Sequence, residues 1–139
     1  MHEGSIHIRL PVALGEIERL NQIVRQFGDL HEVPGRTLYA INLALDELVT
    51  NIVLHGFEDP AGEEFEVRLT VRDGAITAEV EDGGRPFNPV DVPAPDLSAP
   101  LEKRTLGGLG IHLVKSLTDV VEYRRNADKN VLTVRKRNR

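Results

Sequence analysis

The amino-acid sequence predicts a two-layer α+β sandwich, in which a mixed, mostly antiparallel sheet is covered on one face by about three helices. Two observations lead to this fold class. Apolar residues recur with the period of a strand or of a helix in the order β-α-α-β-β-loop-α-β-β. The two consecutive strand pairs are each separated by a short polar turn. Helices that collect on one face of such a sheet give the α+β class.

The composition limits the size and the class of the protein. The chain has 139 residues, 40% of them apolar and 28% charged, so we expect a single domain over residues 1–139 with a buried core. The net charge of −5 argues against a nucleic-acid partner. There is no cysteine, which excludes a disulfide framework and a thiolate metal site. We find neither a signal pattern nor an uninterrupted apolar stretch of about 18 residues, and we expect a cytoplasmic protein without membrane contact.

The first half of the chain is predicted to form one strand and two helices. The segment "SIHIRL" alternates apolar and polar residues, as a half-buried strand does. Apolar residues then follow helical spacing over residues 14–27, until "VPG" at 33–35 interrupts the pattern. A second helix is expected over residues 37–55. Its apolar stripe consists of Leu38, Ile41, Leu45, Leu48, Ile52 and Val53.

The second half is predicted to contain two hairpins separated by a loop and a helix. The segments "FEVRLTV" and "AITAEVE" flank Asp73 and Gly74, a strong signal for a two-residue hairpin turn. "VVEYRR" and "NVLTVRK" flank "NADKN" in the same way, and "GGLGIHLVKSL" is a glycine-rich turn that runs into a helix. Between Arg85 and Thr105 lie five of the eight prolines. A loop of that length inside a compact domain is usually functional or disordered.

The helix that contains "LDELVTNIVLHG" carries two polar residues on one face. Glu47 and Asn51 are four residues apart and share that face, roughly opposite the apolar stripe. A solvated surface pair is one interpretation. Their neighbours on that side are small or apolar rather than charged, which favours the wall of a cleft. In a cleft, a carboxylate can take a proton from a hydroxyl group, and an amide oxygen suits Mg²⁺.

Two glycine-containing segments suggest further contacts with a ligand. "EVEDGGRPFNP" ends a strand at Asp82 and Gly84. It either simply closes the strand, or Asp82 accepts a hydrogen bond from an amino group while Gly84 lets a flat ring approach the backbone. In the second segment, Gly107, Gly108 and Gly110 precede a helix whose free N–H groups can hold phosphate oxygens. A tight turn is the alternative, and neither the dinucleotide fingerprint nor the P-loop is present.

The order of these three segments resembles the GHKL ATP-binding superfamily, which has the histidine kinase-like ATPase or Bergerat-type fold. Within it, "DELVTNIVLHGF", "VEDGGRPFNP" and "GGLGIHLVKSLTDVVEY" look like the three boxes of the anti-sigma factor serine/threonine kinases. The resemblance implies that Glu47 is the general base for a substrate hydroxyl and that Asn51 ligates Mg²⁺. It also implies that Asp82 bonds the adenine amino group of ATP, with Gly84 beside the ring.

The resemblance also implies how the phosphates are held. Gly108 and Gly110 would cradle them, and residues 88–106 would form a lid. Lys103, Arg104 and Thr105 stand at the end of that lid, and one of them is expected to reach the γ-phosphate. His55 either approaches the phosphates or lies at the helix C-terminus, where the helix dipole favours it.

By resemblance, the protein is expected to be an ATP-dependent serine/threonine protein kinase. It would phosphorylate a STAS-domain antagonist of the anti-anti-sigma type, with a sigma factor as a further partner, and it would form a homodimer. The alternative is a nucleotide-binding module that switches partners without kinase activity. An ATP-hydrolysing clamp is a third class, which would need additional transducer domains.

Overall fold

The computed structural model describes residues 2–91 and 106–138, with the backbone alone for residues 106–109. Five strands and three α-helices make up this part of the chain. The strands are β1 (Gly4–Pro11), β2 (Glu64–Arg72), β3 (Ala75–Asp82), β4 (Val120–Asn126) and β5 (Lys129–Arg137). The helices are α1 (Glu16–Leu30), α2 (Gly35–Asn51) and α3 (Leu106–Leu117). A π-helical turn, Ile52–Gly56, continues α2, and a 3₁₀ turn spans Pro89–Asp91.

The strands form one sheet in the order β1-β2-β3-β5-β4. All four pairings are antiparallel, so the α+β class and the mostly antiparallel sheet are confirmed, and no parallel pair occurs among the described strands. The topology gives the reason. The connection through α3 makes β4 run parallel to β3, but β5 inserts between them. The connection from β1 to β2 contains two helices and therefore returns the chain in the opposite direction.

The core lies between the sheet and the helices. The β2–β3 register pairs Val67 with Val80 and Leu69 with Ala78, and these side chains are all buried on the helix side. The opposite face is polar, because side chains alternate along each strand. Helix α2 is the central helix and contacts both α1 and α3. Its core side chains Ile41, Leu45 and Leu48 are completely buried.

Together with the π turn, α2 forms the long apolar helix of the described chain. The predicted range 37–55 corresponds to the observed run Gly35–Gly56. By length and composition alone, this run is the one described segment that would be long and apolar enough to cross a membrane. About half of it is buried inside the fold, as is usual for a core helix packed between a sheet and two other helices.

Two predicted boundaries differ from the structure. Helix α1 begins at Glu16, and the Leu14 side chain, which the sequence assigned to the helix, is half-exposed outside it. Helix α3 begins at Leu106, so the three glycines lie inside its first turns rather than before it. Of the predicted lid over residues 88–106, the structure describes only residues 88–91 and the beginning of α3; the remainder lies outside the described residues.

The β2–β3 turn allows a test of backbone conformation. Asp73 and Gly74 have φ values of 52° and 72°, the left-handed pair that a two-residue hairpin turn requires. A Cβ atom at Gly74 would meet nothing within 4 Å. We therefore expect Gly74→Ala to lower the free energy of unfolding by about 1–2 kcal/mol through backbone strain alone, as measured by urea denaturation.

Gly15→Ala is the matched control. Gly15 has a φ of −63° and equally open surroundings, so its replacement should be neutral or slightly stabilising. Equal stability changes for the two variants would contradict the assigned turn geometry.

Candidate functional site

The side of α2 that carries Glu47 faces helix α3. A Cβ atom on Gly110 would overlap the Glu47 carboxylate. The carboxylate therefore rests directly against the backbone of α3. A larger residue at position 110 would displace this flexible carboxylate, so Gly110 has a packing role within the protein itself.

Two adjacent carboxylates of α2 have raised pKa values. Burial raises the pKa of Glu47, and the neighbouring charge of Asp46 raises it further. Burial also raises the pKa of Asp46, against the effect of a hydrogen bond from Asn21. Since Asn21 belongs to α1 and Gly110 to α3, the two carboxylates lie on different sides of α2. A carboxylate with a raised pKa is better suited to accept a proton at neutral pH.

Asn51 lies one turn beyond Glu47 and is half-buried. It lines a small cavity of about 20 Å³ together with Asp82. Phe87 and Pro89 also line this cavity. A cavity of this size has room for about one water molecule, so an aromatic ring would fit only if the residues after β3 moved.

Asp82, the last residue of β3, is a buried carboxylate with 4% of its surface exposed. Its Oδ1 atom accepts hydrogen bonds from the Gly84 N–H at 2.8 Å and from Asn130 Nδ2 at 3.2 Å. Within residues 2–91 and 106–138, no donor is bonded to Oδ2. One oxygen of Asp82 is therefore held by the protein, and the other has no donor among these residues.

The end of α2 and the turn after β3 are packed tightly together. A Cβ atom on Gly84 would lie 2.5 Å from the Gly56 carbonyl oxygen, and the Arg85 N–H donates to that same oxygen at 2.9 Å. Gly56 ends the π turn, a feature that is frequent at functional sites. His55, in the same turn, is exposed and has no hydrogen bond or ion pair in the described part of the chain.

Asn130 is a site residue that the sequence did not indicate. It is 4% exposed and its Nδ2 atom also donates to the Arg85 carbonyl at 2.9 Å. Its Oδ1 atom accepts from the Tyr123 hydroxyl at 2.6 Å and from Arg125 Nη1 at 3.1 Å. The segment "NADKN" shows only a hairpin turn, and the signal that reveals Asn130 is its pairing with Asp82 across β3 and β5.

The start of the predicted lid is fixed to α3. Lys115 Nζ donates to the Val90 carbonyl at 2.6 Å, and the Val90 N–H donates to Asn88 Oδ1 at 3.0 Å. The short 3₁₀ turn at Pro89–Asp91 is thereby attached to the helix that contains Gly110. A displacement of α3 would therefore displace this segment as well.

The structure brings most of the predicted site residues to one place, where α2, α3 and the end of β3 meet. These residues are Glu47, Asn51, Asp82, Gly84 and Gly110. Gly108 lies in the first turn of α3, of which the backbone is described, whereas Lys103, Arg104 and Thr105 lie outside the described residues. Among the described residues no group of three histidine or acidic side chains is arranged to hold a metal ion.

Comparison with known sequences identifies related proteins. The sequence matches the family described as "Histidine kinase-like ATPase domain" over residues 10–136. It is 29% identical to the serine/threonine-protein kinase BtrW of Bordetella bronchiseptica, over 71% of this chain and 70% of that protein. It is 27% identical to the serine-protein kinase RsbW of Listeria monocytogenes, over 88% of this chain and 80% of that protein.

Solved structures with the same fold include two bacterial proteins. The crystal structure of the RsbU and RsbW domains of Rv1364c from Mycobacterium tuberculosis matches with a TM-score of 0.70 and 18% identity. The match covers 96% of this chain and 32% of that larger one. The histidine kinase AdeS of Acinetobacter baumannii matches with a TM-score of 0.52 and 15% identity, over 96% of this chain and 68% of that one.

The electrostatics of α2 can be tested by titration. Asp46→Asn removes the neighbouring charge and leaves the burial of Glu47 unchanged. We therefore expect the pKa of Glu47 to fall part of the way toward the ordinary value of 4.5, as followed by NMR of its carboxyl carbon. The control is Asp128→Asn, at an exposed turn position, which should leave the pKa of Glu47 unchanged. An unchanged or higher midpoint in Asp46→Asn would refute the charge coupling.

Proposed function

The chain belongs to the histidine kinase-like ATPase domain family, and we propose that it is an ATP-dependent serine/threonine protein kinase of the anti-sigma factor type. One observation carries the proposal. The half-buried Glu47, whose pKa is raised, lies one helical turn from Asn51, and Asn51 shares a cavity with the buried Asp82. A proton acceptor, a metal ligand and a hydrogen-bond acceptor for a purine thus follow one another along one wall of the proposed site. The relatives named as serine kinases support the same assignment.

Asp82 is proposed to recognise adenine. Its Oδ2 atom offers a charged acceptor, which matches the amino group of adenine, whereas guanine presents a carbonyl oxygen at the equivalent position. Gly84 leaves the backbone beside this carboxylate without a side chain. The residues that line the cavity therefore fit a purine once Phe87 and Pro89 move away.

Asn51 is proposed as the protein ligand of Mg²⁺. An amide oxygen is a hard ligand, and Mg²⁺ in nucleotide sites keeps water and phosphate as most of its ligands. A single protein donor next to the base pocket therefore fits this ion. The free amide groups of the first turn of α3, including that of Gly108, are proposed to hold phosphate oxygens, and Gly110, one turn further along, is proposed to lie beside the phosphates. Lys103, Arg104, Thr105 and His55 are proposed as further phosphate contacts, and residues 88–106 as the lid.

Glu47 is proposed as the general base. Bound Mg-ATP would supply the phosphoryl group that is transferred. The Glu47 carboxylate would accept the proton of the attacking serine or threonine hydroxyl, a role that its raised pKa favours. Because the carboxylate now rests on Gly110, a small movement of α3 would be enough to expose it to a substrate.

We infer the partners from the family resemblance and the relatives. The proposed substrate is a STAS-domain protein of the anti-anti-sigma type, and a sigma factor is a proposed further partner. We also propose that residues 1–139 form one domain, which is cytoplasmic, acts as a homodimer and binds neither nucleic acid nor membrane. The net charge of −5 supports the exclusion of nucleic acid.

A second candidate function is a partner-switching module that binds nucleotide without transferring phosphate. The contact between Glu47 and Gly110 favours it, because this contact gives the carboxylate a role in helix packing that needs no chemistry. The two functions differ in what the loss of the Glu47 charge would do.

The adenine assignment is tested by Asp82→Asn. The amide removes the charge and presents a donor where the adenine amino group also donates. We expect Mg-ATP affinity to fall by about 1.5–3 kcal/mol, with a smaller preference for ATP over GTP, as measured by calorimetry. Asp128→Asn is the charge-matched control and should bind as the wild type does. Equal affinity for ATP and GTP in the wild type would refute the role of Asp82.

The kinase mechanism is tested by Glu47→Gln and Asn51→Ala. The glutamine keeps the shape of the side chain but cannot accept a proton, so ATP should still bind while phosphate transfer falls by about 10²–10⁴-fold. Asn51→Ala should instead weaken Mg-dependent ATP binding. The readouts are calorimetry and transfer of labelled phosphate to STAS-domain proteins, with exposed Glu122→Gln as the control. Full transfer activity in Glu47→Gln would exclude Glu47 as the base, whereas ATP binding without any phosphate transfer by the wild type would favour the binding module.

A further inference from the structure

A buried amide connects three strands beside the proposed base pocket. Asn130 of β5 lies opposite Asp82 of β3 and opposite Arg125 of β4. Its Oδ1 atom accepts two hydrogen bonds, from the Tyr123 hydroxyl and from Arg125 Nη1. Its Nδ2 atom donates to Asp82 Oδ1 at 3.2 Å and to the Arg85 carbonyl at 2.9 Å. We call Tyr123, Arg125 and Asn130 the amide clamp.

The partners of Asn130 determine which way its amide points. A guanidinium group can only donate, so the amide oxygen must face Arg125. The amide NH₂ group then faces three acceptors: the Asp82 carboxylate, the Arg85 carbonyl and, at 3.5 Å, the Gly84 carbonyl. The reverse orientation would place the amide NH₂ group against the Arg125 donor and the amide oxygen against the acceptors on the other side. Arg125 thus fixes Asn130 as a donor toward Asp82.

The clamp also holds the backbone that follows β3. Arg125 Nη1 donates to the Gly84 carbonyl at 2.9 Å, next to the Arg85 carbonyl that Asn130 binds. The glycine proposed to flank the ring is therefore fixed from the β4–β5 hairpin. On the other side, the Gly56 carbonyl fixes the same turn through the Arg85 N–H.

These contacts leave one oxygen atom of Asp82 available to a ligand. Its Oδ1 atom is occupied by the Gly84 N–H and by Asn130, and Oδ2 is the oxygen that remains for a ligand. An oxygen in that state prefers an amino group and disfavours a carbonyl oxygen. If the donor from Asn130 were lost, the carboxylate would be able to turn and its preference would weaken.

We propose that Asn130 is a positioning residue for base specificity, which acts through Asp82, and that Tyr123 and Arg125 fix its orientation. The inference rests on the proposed function, because it assumes that Asp82 reads adenine. It adds to that function a group on the β4–β5 hairpin that determines which purine is accepted. Asn130 itself need not contact the nucleotide.

Asn130→Asp is the decisive variant, because it places a second carboxylate opposite Asp82. At low pH the two carboxylates can share one proton, which restores a donor to Asp82. At higher pH both are charged and repel each other. We therefore expect the affinity for Mg-ADP to fall as the pH rises from about 5.5 to 8, to roughly 10–100-fold below that of the wild type. The wild type should not show this fall.

Asn126→Asp is the matched control. It adds the same charge to the same hairpin, at an exposed position, and should follow the wild-type pH profile. Titration calorimetry with ADP and with GDP gives the affinity and the base preference. Circular dichroism melting without nucleotide identifies any variant that does not fold. A residue needed only for stability would shift the melting temperature but would leave the pH profile and the ADP-to-GDP ratio unchanged.

Tyr123→Phe and Arg125→Met keep Asn130 and test its orientation. Each should lower the ADP-to-GDP affinity ratio several-fold, and these two variants decide the question if Asn130→Asp does not fold. Two outcomes would overturn the clamp, provided that Asp82→Asn still weakens ADP binding. One is a wild-type ADP-to-GDP affinity ratio in both variants. The other is a pH profile of Asn130→Asp equal to that of Asn126→Asp. If the wild type bound no ADP, or if Asp82→Asn had no effect, the proposed function would fail together with the clamp.

Discussion

The site depends on the antiparallel pairing of β3 with β5, which places Asp82 opposite Asn130. A buried carboxylate is unfavourable unless hydrogen bonds compensate for the lost water. Here the compensation comes from the Gly84 N–H and the Asn130 amide. Because β5 lies between β3 and β4, residues of the last hairpin can reach the turn after β3. Strand β5, whose insertion makes the sheet antiparallel throughout the described residues, therefore also provides Asn130, one of the two partners that hold Asp82.

Helix α2 adds the second part of the site because of its central position between α1 and α3. Its core side is apolar and packs on the sheet, and its two flanks contact the neighbouring helices. The side chains of the consecutive residues Asp46 and Glu47 project from different flanks of α2. Each is therefore half-buried against a different helix. Partial burial raises the pKa of both carboxyl groups. The fold thus produces a proton acceptor of raised basicity without a dedicated catalytic loop.

Most of the fold, and part of the site, could be predicted from the sequence. Hairpin turns and helix stripes are local patterns, so the strand and helix order and the turn at Asp73 and Gly74 were correctly inferred. Glu47 and Asn51 share a face because of helix geometry, which is also local. Asn130 could not be found in this way, since its importance arises from a pairing with Asp82 between residues 48 positions apart in the sequence. The start of α3 differed because glycine gives no clear signal that separates a turn from a first helical turn.

Gly110 shows that a glycine inside a helix can have a packing contact that the sequence does not indicate. A glycine inside a helix costs up to about 1 kcal/mol relative to alanine, so its presence in α3 requires a compensating contact. The sequence indicated a close approach to the backbone, with phosphate as the approaching group. In the structure the group that approaches Gly110 is the Glu47 carboxylate. Both groups are anionic oxygens that would lie near the first turn of α3, where free N–H groups and the helix dipole favour negative charge. A phosphate bound in this region, as proposed, would repel the carboxylate, and nucleotide binding would then favour the release of the proposed base.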